Sequence, residues 1–139
     1  MIVPTPRPYR WPVRVYYEDT DAAGIVYYAN YLKFMERART EWLAAMGVTL
    51  SGLESEHRAV FVVHRLDIEY RQPAKLGDLL DVTVAPIDHG GSRLVAAQEV
   101  RRDGDLLVRA RVTLALIGRE RWRPIRIPAP LLARMETVA

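Results

Sequence analysis

The spacing of apolar residues changes from a helical period to a strand period near the middle of the chain. Between residues 31 and 46 the apolar positions step by four, three, four and three, which is the period of one face of an α-helix. Other apolar side chains lie beside this stripe, so more than half of the helix circumference is apolar. We therefore predict a helix about 25 Å long that other elements wrap. The stripe consists of Tyr31, Met35, Ala38, Trp42 and Ala45.

Both ends of this helix carry recognisable signals. Asn30 precedes the stripe, and its side chain can accept a hydrogen bond from the exposed N–H groups of a first helical turn. Gly47 follows the stripe, and glycine readily adopts the left-handed conformation that ends many helices. We predict that Asn30 caps the start of the helix and that Gly47 ends it.

Five further segments alternate between apolar and polar residues, as strands with one buried face do. One short segment precedes the helix and four long ones follow it, separated by turns such as Asp103-Gly104, a strong hairpin signal. Short connections make consecutive strands antiparallel neighbours. We predict an α+β fold in which a curved antiparallel sheet of about five strands wraps the long helix. The segments are residues 12–17, 59–71, 79–88, 92–102 and 105–117.

The length of the four later segments has a consequence for assembly. Strands of this length are about twice as long as usual, and a long unpaired sheet edge promotes pairing with a second chain. We therefore expect a homo-oligomer. A short final helix near residues 131–135 is also expected, within an arginine-rich tail.

Composition fits one globular domain, with a core at about residues 10–117 and a tail at 118–139. The chain has 139 residues, half of them apolar or aromatic, and no cysteine, which excludes disulfides, thiolate metal sites and a cysteine nucleophile. No segment resembles a membrane span or a secretory signal, so a cytoplasmic location is expected. The net charge of +3 arises from scattered residues, whereas nucleic-acid binding usually needs a denser basic face.

Most familiar catalytic motifs are missing from the sequence. There is no G-x-S-x-G elbow and no glycine-rich nucleotide loop, and the three histidines lack the spacing of metal ligands, so we expect no metal. The tail arginines at positions 119, 121, 123 and 126 have two interpretations. They form either a solvated basic tail or a clamp for a phosphorylated ligand such as CoA.

The stretch YYEDTDAAGIVYYAN, residues 16–30, is the strongest candidate for chemistry. On an extended chain Asp19 and Asp21 share a face and Glu18 points the other way. Asp21 lies next to a small turn that leads to the start of the helix, where free N–H groups can polarise a carbonyl oxygen. A carboxylate there can attack the carbonyl or activate water. The plainer alternative is a turn aspartate that bonds its own backbone.

Two stretches carry a resemblance to a known family: VRVYYEDTDAAGIVYYANYLKFMERART, residues 13–40, and FVVHRLDIEYRQPAKLGDLLDV, residues 61–82. They resemble the hotdog-fold acyl-CoA thioesterases of the YbgC type, which are related to 4-hydroxybenzoyl-CoA thioesterase. The resemblance extends from about residue 10 to residue 117. It implies a long helix wrapped by a sheet, paired subunits that often form dimers of dimers, and hydrolysis of acyl-CoA without a metal or separate cofactor.

The resemblance also assigns roles to individual residues. It implies that Asp21 is the nucleophile or general base, that the backbone N–H of Tyr28 polarises the thioester carbonyl, and that Tyr17 lines the site. Many YbgC-type members have histidine where this chain has Tyr28, so a mechanism that needs that histidine side chain is in doubt here. The acyl pocket is expected to be bordered by Gly24, Ile25 and Val26. Arg93 is a candidate for CoA phosphates on charge alone.

Two other functions remain open at this point. A hotdog hydratase or dehydratase usually pairs a histidine with an acid, and no histidine lies near Asp21 in the sequence. A non-enzymatic module would bind acyl-CoA or an acyl carrier protein without releasing thiol.

Overall fold

One antiparallel sheet holds a long helix against one of its faces. The computed structural model describes residues 7–137, and within them six strands and three α-helices form in mixed order. The elements are β1 (Tyr9–Arg14), α1 (Asn30–Ala45), α2 (Leu50–His57), β2 (Ala59–Tyr70), β3 (Leu79–Gly90), β4 (Arg93–Arg102), β5 (Asp105–Gly118), β6 (Arg123–Pro124) and α3 (Ala129–Thr137).

The strand order is β1-β3-β4-β5-β2, and β6 pairs with the end of β5. The predicted hairpins between β3, β4 and β5 are confirmed. The prediction that β2 and β3 are neighbours is wrong, because β2 pairs with β5 instead. Residues 71–78 therefore cross the end of the sheet over three strand spacings, about 14 Å. Eight residues can extend to about 27 Å, so the crossover is long enough without being taut.

The apolar stripe of α1 faces the sheet and forms the centre of the core. Met35, Ala38 and Trp42 have no exposed surface, and Phe34, which lies beside the stripe, is also fully buried. This confirms that more than half of the helix circumference is covered. Ala45, the last position of the stripe, is exposed instead, because the buried face at this end of the helix lies on the side of Leu43 and Met46, which are 5% and 6% exposed.

Of the two predictions about the ends of α1, the one for Gly47 is confirmed and the one for Asn30 is wrong. Gly47 follows the helix with φ +78°, which confirms the predicted left-handed ending. Asn30 is the first residue of the helix and not its cap. A further helix, α2, was not predicted, although Thr49 caps it by accepting a hydrogen bond from Gly52 N at 3.0 Å.

The C-terminal tail folds back onto the core. Helix α3 confirms the expected final helix and is longer than predicted, and Ile127, Leu131 and Met135 are buried in the main apolar cluster. The four tail arginines remain exposed, so the tail is basic at its surface and apolar beneath. No helix within residues 7–137 is both long and apolar enough to cross a membrane.

Gln98 is a fully buried polar residue that joins the sheet to α1. Its Nε2 donates to Met35 O at 3.0 Å and to Thr83 O at 3.3 Å. Its Oε1 accepts a hydrogen bond from Arg39 Nη1 at 2.9 Å. Burial lowers the pKa of Arg39, since its charge is partly removed from water. The amide of Gln98 therefore stabilises a half-buried cation between the two layers.

We predict that Gln98→Leu destabilises the protein by about 1–3 kcal/mol, because it removes hydrogen bonds that a buried cation and buried carbonyls depend on. Urea unfolding followed by circular dichroism measures the change. The matched control is Gln72→Leu at an exposed position, which should alter the free energy of unfolding by less than about 0.5 kcal/mol. Equal effects of the two variants would contradict this role of Gln98.

Candidate active site

The segment between β1 and α1 folds around Asp19. A single 3-10 turn, Tyr17–Asp19, follows the strand and turns Asp19 into the protein, where its Oδ2 accepts from Tyr16 N at 2.8 Å. The main-chain carbonyl of Asp19 accepts from Tyr27 N at 2.9 Å and from Asn30 Nδ2 at 3.1 Å. Asn30 thus uses its amide to hold the preceding loop and does not cap the helix.

The two aspartates do not share a face, contrary to the expectation from an extended chain. Asp19 is 8% exposed, whereas Asp21 is exposed to solvent. The cause is the 3-10 turn, which replaces the extended backbone that the alternation of residues had indicated. For the same reason β1 ends at Arg14 and does not continue to residue 17. Asp19 is therefore structural, and Asp21 is the carboxylate available for chemistry.

A tight turn presents Asp21. Asp21 N donates to Ile25 O at 2.9 Å and Gly24 N donates to Asp21 O at 3.0 Å. The side-chain Oδ1 accepts from Ala23 N at 2.8 Å, so the aspartate does bond its own turn, as the plainer alternative proposed. Its Oδ2 accepts no hydrogen bond from residues 7–137 and remains open to a reactant. Gly24 has φ +79°, a conformation that favours glycine.

The turn is anchored to the crossover between β2 and β3. Val26 N donates to Ala74 O at 2.9 Å, and Leu76 N donates to Gly24 O at 3.3 Å. Val26 is only 3% exposed, so its side chain belongs to the core at this point. Ile25 is half-buried and Gly24 is exposed. Of the three residues expected to border an acyl pocket, Gly24 and Ile25 are solvent-accessible and Val26 is not.

The backbone N–H of Tyr28 is a free donor just before α1. The peptide between Tyr27 and Tyr28 is trans, so its carbonyl and its N–H point in opposite directions. The carbonyl accepts from Asn30 N at 2.8 Å, whereas the N–H makes no hydrogen bond with the described residues. The partial positive charge of the helix start strengthens this donor. A donor of this kind can polarise a carbonyl oxygen.

Tyrosine rings surround the turn and the helix start. The rings of Tyr27 and Tyr28 lie 4.9 Å apart between centroids, and Tyr70 packs edge-on against Tyr28 at 6.2 Å. The hydroxyl of Tyr70 donates to Tyr28 O at 3.0 Å. Tyr28 and Tyr17 are 62% and 83% exposed. In a single subunit the aromatic surface of the site is therefore accessible to solvent.

A salt bridge stabilises the crossover that supports the turn. Arg102 Nη1 donates to Asp78 Oδ2 at 2.8 Å, and the same oxygen accepts from Lys75 N at 2.8 Å. Partial burial alone would raise the pKa of Asp78, but the Lys75 N–H and the Arg102 guanidinium together hold that pKa below its usual value. Arg102 Nη1 also donates to Pro73 O at 3.3 Å, so the pair binds both halves of the crossover.

The structure does not bring Arg93 to Asp21 within one chain. Arg93 begins β4 and Arg102 ends it, so the two lie about 30 Å apart along the strand. Arg93 Nη1 donates to Asp88 Oδ2 at 3.0 Å. The tail arginines follow β5 at the same distant end, where Arg119 pairs with Glu54 and lies 5.5 Å from the Trp122 ring centroid.

Asp19, Asn30 and Tyr70 support the site, although the sequence did not indicate these roles. Tyr70 lies within the Tyr-x-x-Pro-Ala stretch of the second resembling segment, but nothing local shows that it contacts Tyr28. Within residues 7–137 no group of three or more His, Asp or Glu side chains is placed to hold a metal ion.

A sheet curled over one helix, with a carboxylate turn beside the helix start, defines a thioesterase-like protein. A family model described as the thioesterase-like superfamily matches residues 15–135. The chain belongs to this superfamily.

Named relatives and solved structures agree with this assignment. The chain is 40% identical to the acyl-CoA thioester hydrolase YbgC of Escherichia coli O6:H1 over 92% of this chain and 96% of that protein. It is 41% identical to the acyl-CoA thioesterase YbgC of Haemophilus influenzae over 90% and 92%. A probable thioesterase from Bartonella henselae has a TM-score of 0.84 at 34% identity, covering 88% of this chain and all of that one.

A second solved structure was determined with a ligand. It is a thioesterase from Thermus thermophilus complexed with coenzyme A and Zn, with a TM-score of 0.81 at 29% identity, covering 93% of this chain and 92% of that one. Together with the Bartonella structure it confirms the hotdog fold expected from the sequence.

We predict that Asp78→Asn lowers the free energy of unfolding by about 1–2 kcal/mol at pH 7, because it removes a charge-assisted hydrogen bond. The folded-state pKa of Asp78 lies below the unfolded value of about 3.9. The carboxylate therefore contributes stability above about pH 4 and loses it as the pH falls through the folded pKa. The difference between variant and wild type should shrink in that range, as measured by urea unfolding from pH 7 to pH 3.

The control is Asp67→Asn, which breaks an ion pair with Arg65 whose side chains are 59% and 71% exposed. Its effect should stay below about 0.5 kcal/mol at every pH. A pH-independent loss of stability in Asp78→Asn would rule out the charge as the cause.

Proposed function

We propose that this protein hydrolyses the thioester bond of an acyl-CoA and releases a carboxylic acid and free CoA. The observation that carries the proposal is that one short segment before α1 presents both Asp21, whose Oδ2 accepts no hydrogen bond within residues 7–137, and the Tyr28 N–H, which donates none there. The chain presents this pair in a fold that it shares with acyl-CoA thioesterases over nearly its whole length.

The chemistry follows from these two groups. The Tyr28 N–H donates to the thioester carbonyl oxygen and stabilises the negative charge that develops there. Asp21 either attacks the carbonyl carbon, which gives an anhydride that water then opens, or removes a proton from the water that attacks it. In both routes the C–S bond breaks, and CoA leaves as a thiolate that takes up a proton. The new oxygen of the acid comes from water in the general-base route, and from water or from the Asp21 carboxylate in the anhydride route, where a carboxylate oxygen that is lost is replaced from water. Asp21 is essential to either route.

Tyr28 contributes through its backbone in this proposal. Its phenol is 62% exposed, and the donor on which catalysis depends belongs to the main chain. A tyrosine therefore serves where many YbgC-type proteins have histidine. The carboxylate, the backbone donor and water complete the reaction, so we propose that no metal or cofactor is needed besides the CoA carried by the substrate.

The edge of the sheet supports a proposal about assembly. Strand β2 has one partner, β5, so its other edge is open in one chain. Val62 and Val63 on this strand are 37% and 52% exposed, and apolar edge residues favour pairing with another strand. We propose that two subunits pair along β2 and that two such dimers form a homotetramer. In such an assembly Arg93 and the tail arginines of one subunit would bind the phosphates of CoA whose thioester lies at Asp21 of a neighbouring subunit.

The carrier of the acyl group and the location of the protein in the cell stay predictions made from the sequence. The acyl group can be carried by CoA or by an acyl carrier protein, because both present the same thioester to Asp21. The cytoplasmic location likewise stays a prediction.

We predict that Asp21→Asn folds normally and loses about 100-fold or more in kcat, as expected when a general base is removed. Released thiol is measured with a chromogenic disulfide reagent over a series of aliphatic and aromatic acyl-CoA substrates. The matched control is Glu18→Gln, which removes an exposed negative charge three residues away and should retain wild-type turnover. Near-normal turnover by well-folded Asp21→Asn would refute the assignment.

The same substrates separate the rival functions. A binding module would bind an acyl-CoA tightly and release no thiol from the wild-type protein. A hydratase would add water to an enoyl-CoA, with loss of enoyl absorbance and no free thiol.

We predict that light scattering at micromolar concentration gives at least twice the monomer mass. Val63→Lys should lower that mass, because a lysine on the open edge opposes strand pairing. Leu79→Lys is the control, since Leu79 is 54% exposed on β3, which β4 and β5 separate from the β2 edge. A wild-type monomer would contradict the proposed assembly, and so would an unchanged mass in Val63→Lys.

A further inference from the structure

We propose that Tyr70 is a positioning residue that holds the oxyanion-binding turn of the site. The inference rests on the proposed thioesterase function, because the turn is the one that carries the Tyr28 N–H. Tyr70 is the last residue of β2, on a different element from the turn. Its hydroxyl donates to the main-chain carbonyl of Tyr28 at 3.0 Å.

Main-chain and side-chain hydrogen bonds fix the turn that leads into α1. Tyr27 N donates to Asp19 O at 2.9 Å and Asn30 N donates to Tyr27 O at 2.8 Å. These two are main-chain bonds that a side-chain substitution does not remove. A further bond comes from the Tyr70 hydroxyl, the one donor to the carbonyl of Tyr28 among residues 7–137. The Asn30 N and Tyr70 bonds together hold the two peptide planes that flank the α-carbon of Tyr28.

The two peptide planes determine where the Tyr28 N–H points. The plane before Tyr28 carries the N–H, and the plane after it carries the carbonyl that Tyr70 binds. If the second plane rotates, the backbone angles at Tyr28 change and the N–H moves relative to the thioester oxygen. An error of about 1 Å in the position of a catalytic group can reduce the rate by about 100-fold. The Tyr70 hydroxyl opposes such a rotation.

Packing separates the role of the hydroxyl from that of the ring. The Tyr70 ring lies 5.7 Å from the Tyr31 ring centroid and 6.2 Å from that of Tyr28, and a phenylalanine retains both contacts. Burial raises the pKa of Tyr70, and the neighbouring Tyr28 and Tyr31 phenols add to the effect. The hydroxyl therefore stays protonated at neutral pH and can donate. Tyr70→Phe removes this donor and little else.

The decisive experiment measures kcat and KM for Tyr70→Phe with butyryl-CoA and benzoyl-CoA. We expect kcat to fall about 3- to 10-fold, the value of one hydrogen bond, while KM changes less than twofold. The control is Tyr9→Phe, because Tyr9 lies on β1 and its hydroxyl makes no hydrogen bond with residues 7–137. That variant should retain wild-type kcat, and both variants should melt within about 2 °C of wild type.

A double mutant tests whether Tyr70 acts through the reacting groups. Because Tyr70 acts on the Tyr28 N–H and not on Asp21, Tyr70→Phe should lower the residual kcat by a similar factor in an Asp21→Asn background, since an oxyanion donor still serves the reaction when the carboxylate is removed. Loss of the Tyr70→Phe effect in that background would overturn the inference. An unchanged kcat in the single variant would also overturn it.

A readout independent of activity keeps this proposal separate from the proposed function. Hydrogen–deuterium exchange of peptides covering residues 24–34 should become faster in Tyr70→Phe and not in Tyr9→Phe, because the Tyr27 and Asn30 amides report on the turn. A wild-type protein that releases no thiol would refute the thioesterase function alone. Unchanged exchange in Tyr70→Phe would refute the positioning role, whatever the activity.

Discussion

The candidate site depends on the hydrogen bonds that Asp19 makes to three parts of the chain. Its carboxylate holds Tyr16 N after the first strand, and its carbonyl holds both Tyr27 N and the side chain of Asn30. These contacts fold residues 16–30 back on themselves, so Asp21 lies at the tip of a turn that begins and ends against α1. The carboxylate bond needs a short side chain with an acceptor oxygen, because it must reach back three residues from within a 3-10 turn.

Sheet topology supplies the second support. Because β2 pairs with β5 and not with β3, residues 71–78 must cross the end of the sheet. The crossover passes beside the Asp21 turn and exchanges main-chain hydrogen bonds with it. The Asp78–Arg102 pair then fixes the crossover to β4. The same strand order leaves Tyr70 at the end of β2, where its hydroxyl meets the start of α1.

Local periodicity was sufficient to predict α1, the long strands and the final helix, because buried faces repeat at a fixed spacing along each element. It could not predict the pairing of β2 with β5, which joins Tyr70 to Val108, 38 positions apart, at one end and Ala59 to Gly118, 59 positions apart, at the other. The alternation of apolar and polar residues also led to the wrong prediction that Asp19 and Asp21 share a face. A 3-10 turn interrupts the extended chain there. Asp21 was identified from its turn and from the family resemblance. The contact between Tyr70 and Tyr28 has no local signal, because it exists only once the crossover is in place.

The division of labour between main chain and side chains explains which features of the site can vary. In the proposed site the donor at Tyr28 is a backbone group whose direction is set by neighbouring peptides and by Tyr70, so the reaction does not depend on the Tyr28 side chain. The proposed reaction does depend on the side chain of Asp21, because its carboxylate would attack the thioester or activate water. The exposed ring of Tyr17 makes no ring contact within residues 7–137 and takes no part in the proposed chemistry. In the proposed site, a change at Tyr17 would therefore alter the surface offered to the acyl group without removing a reacting group.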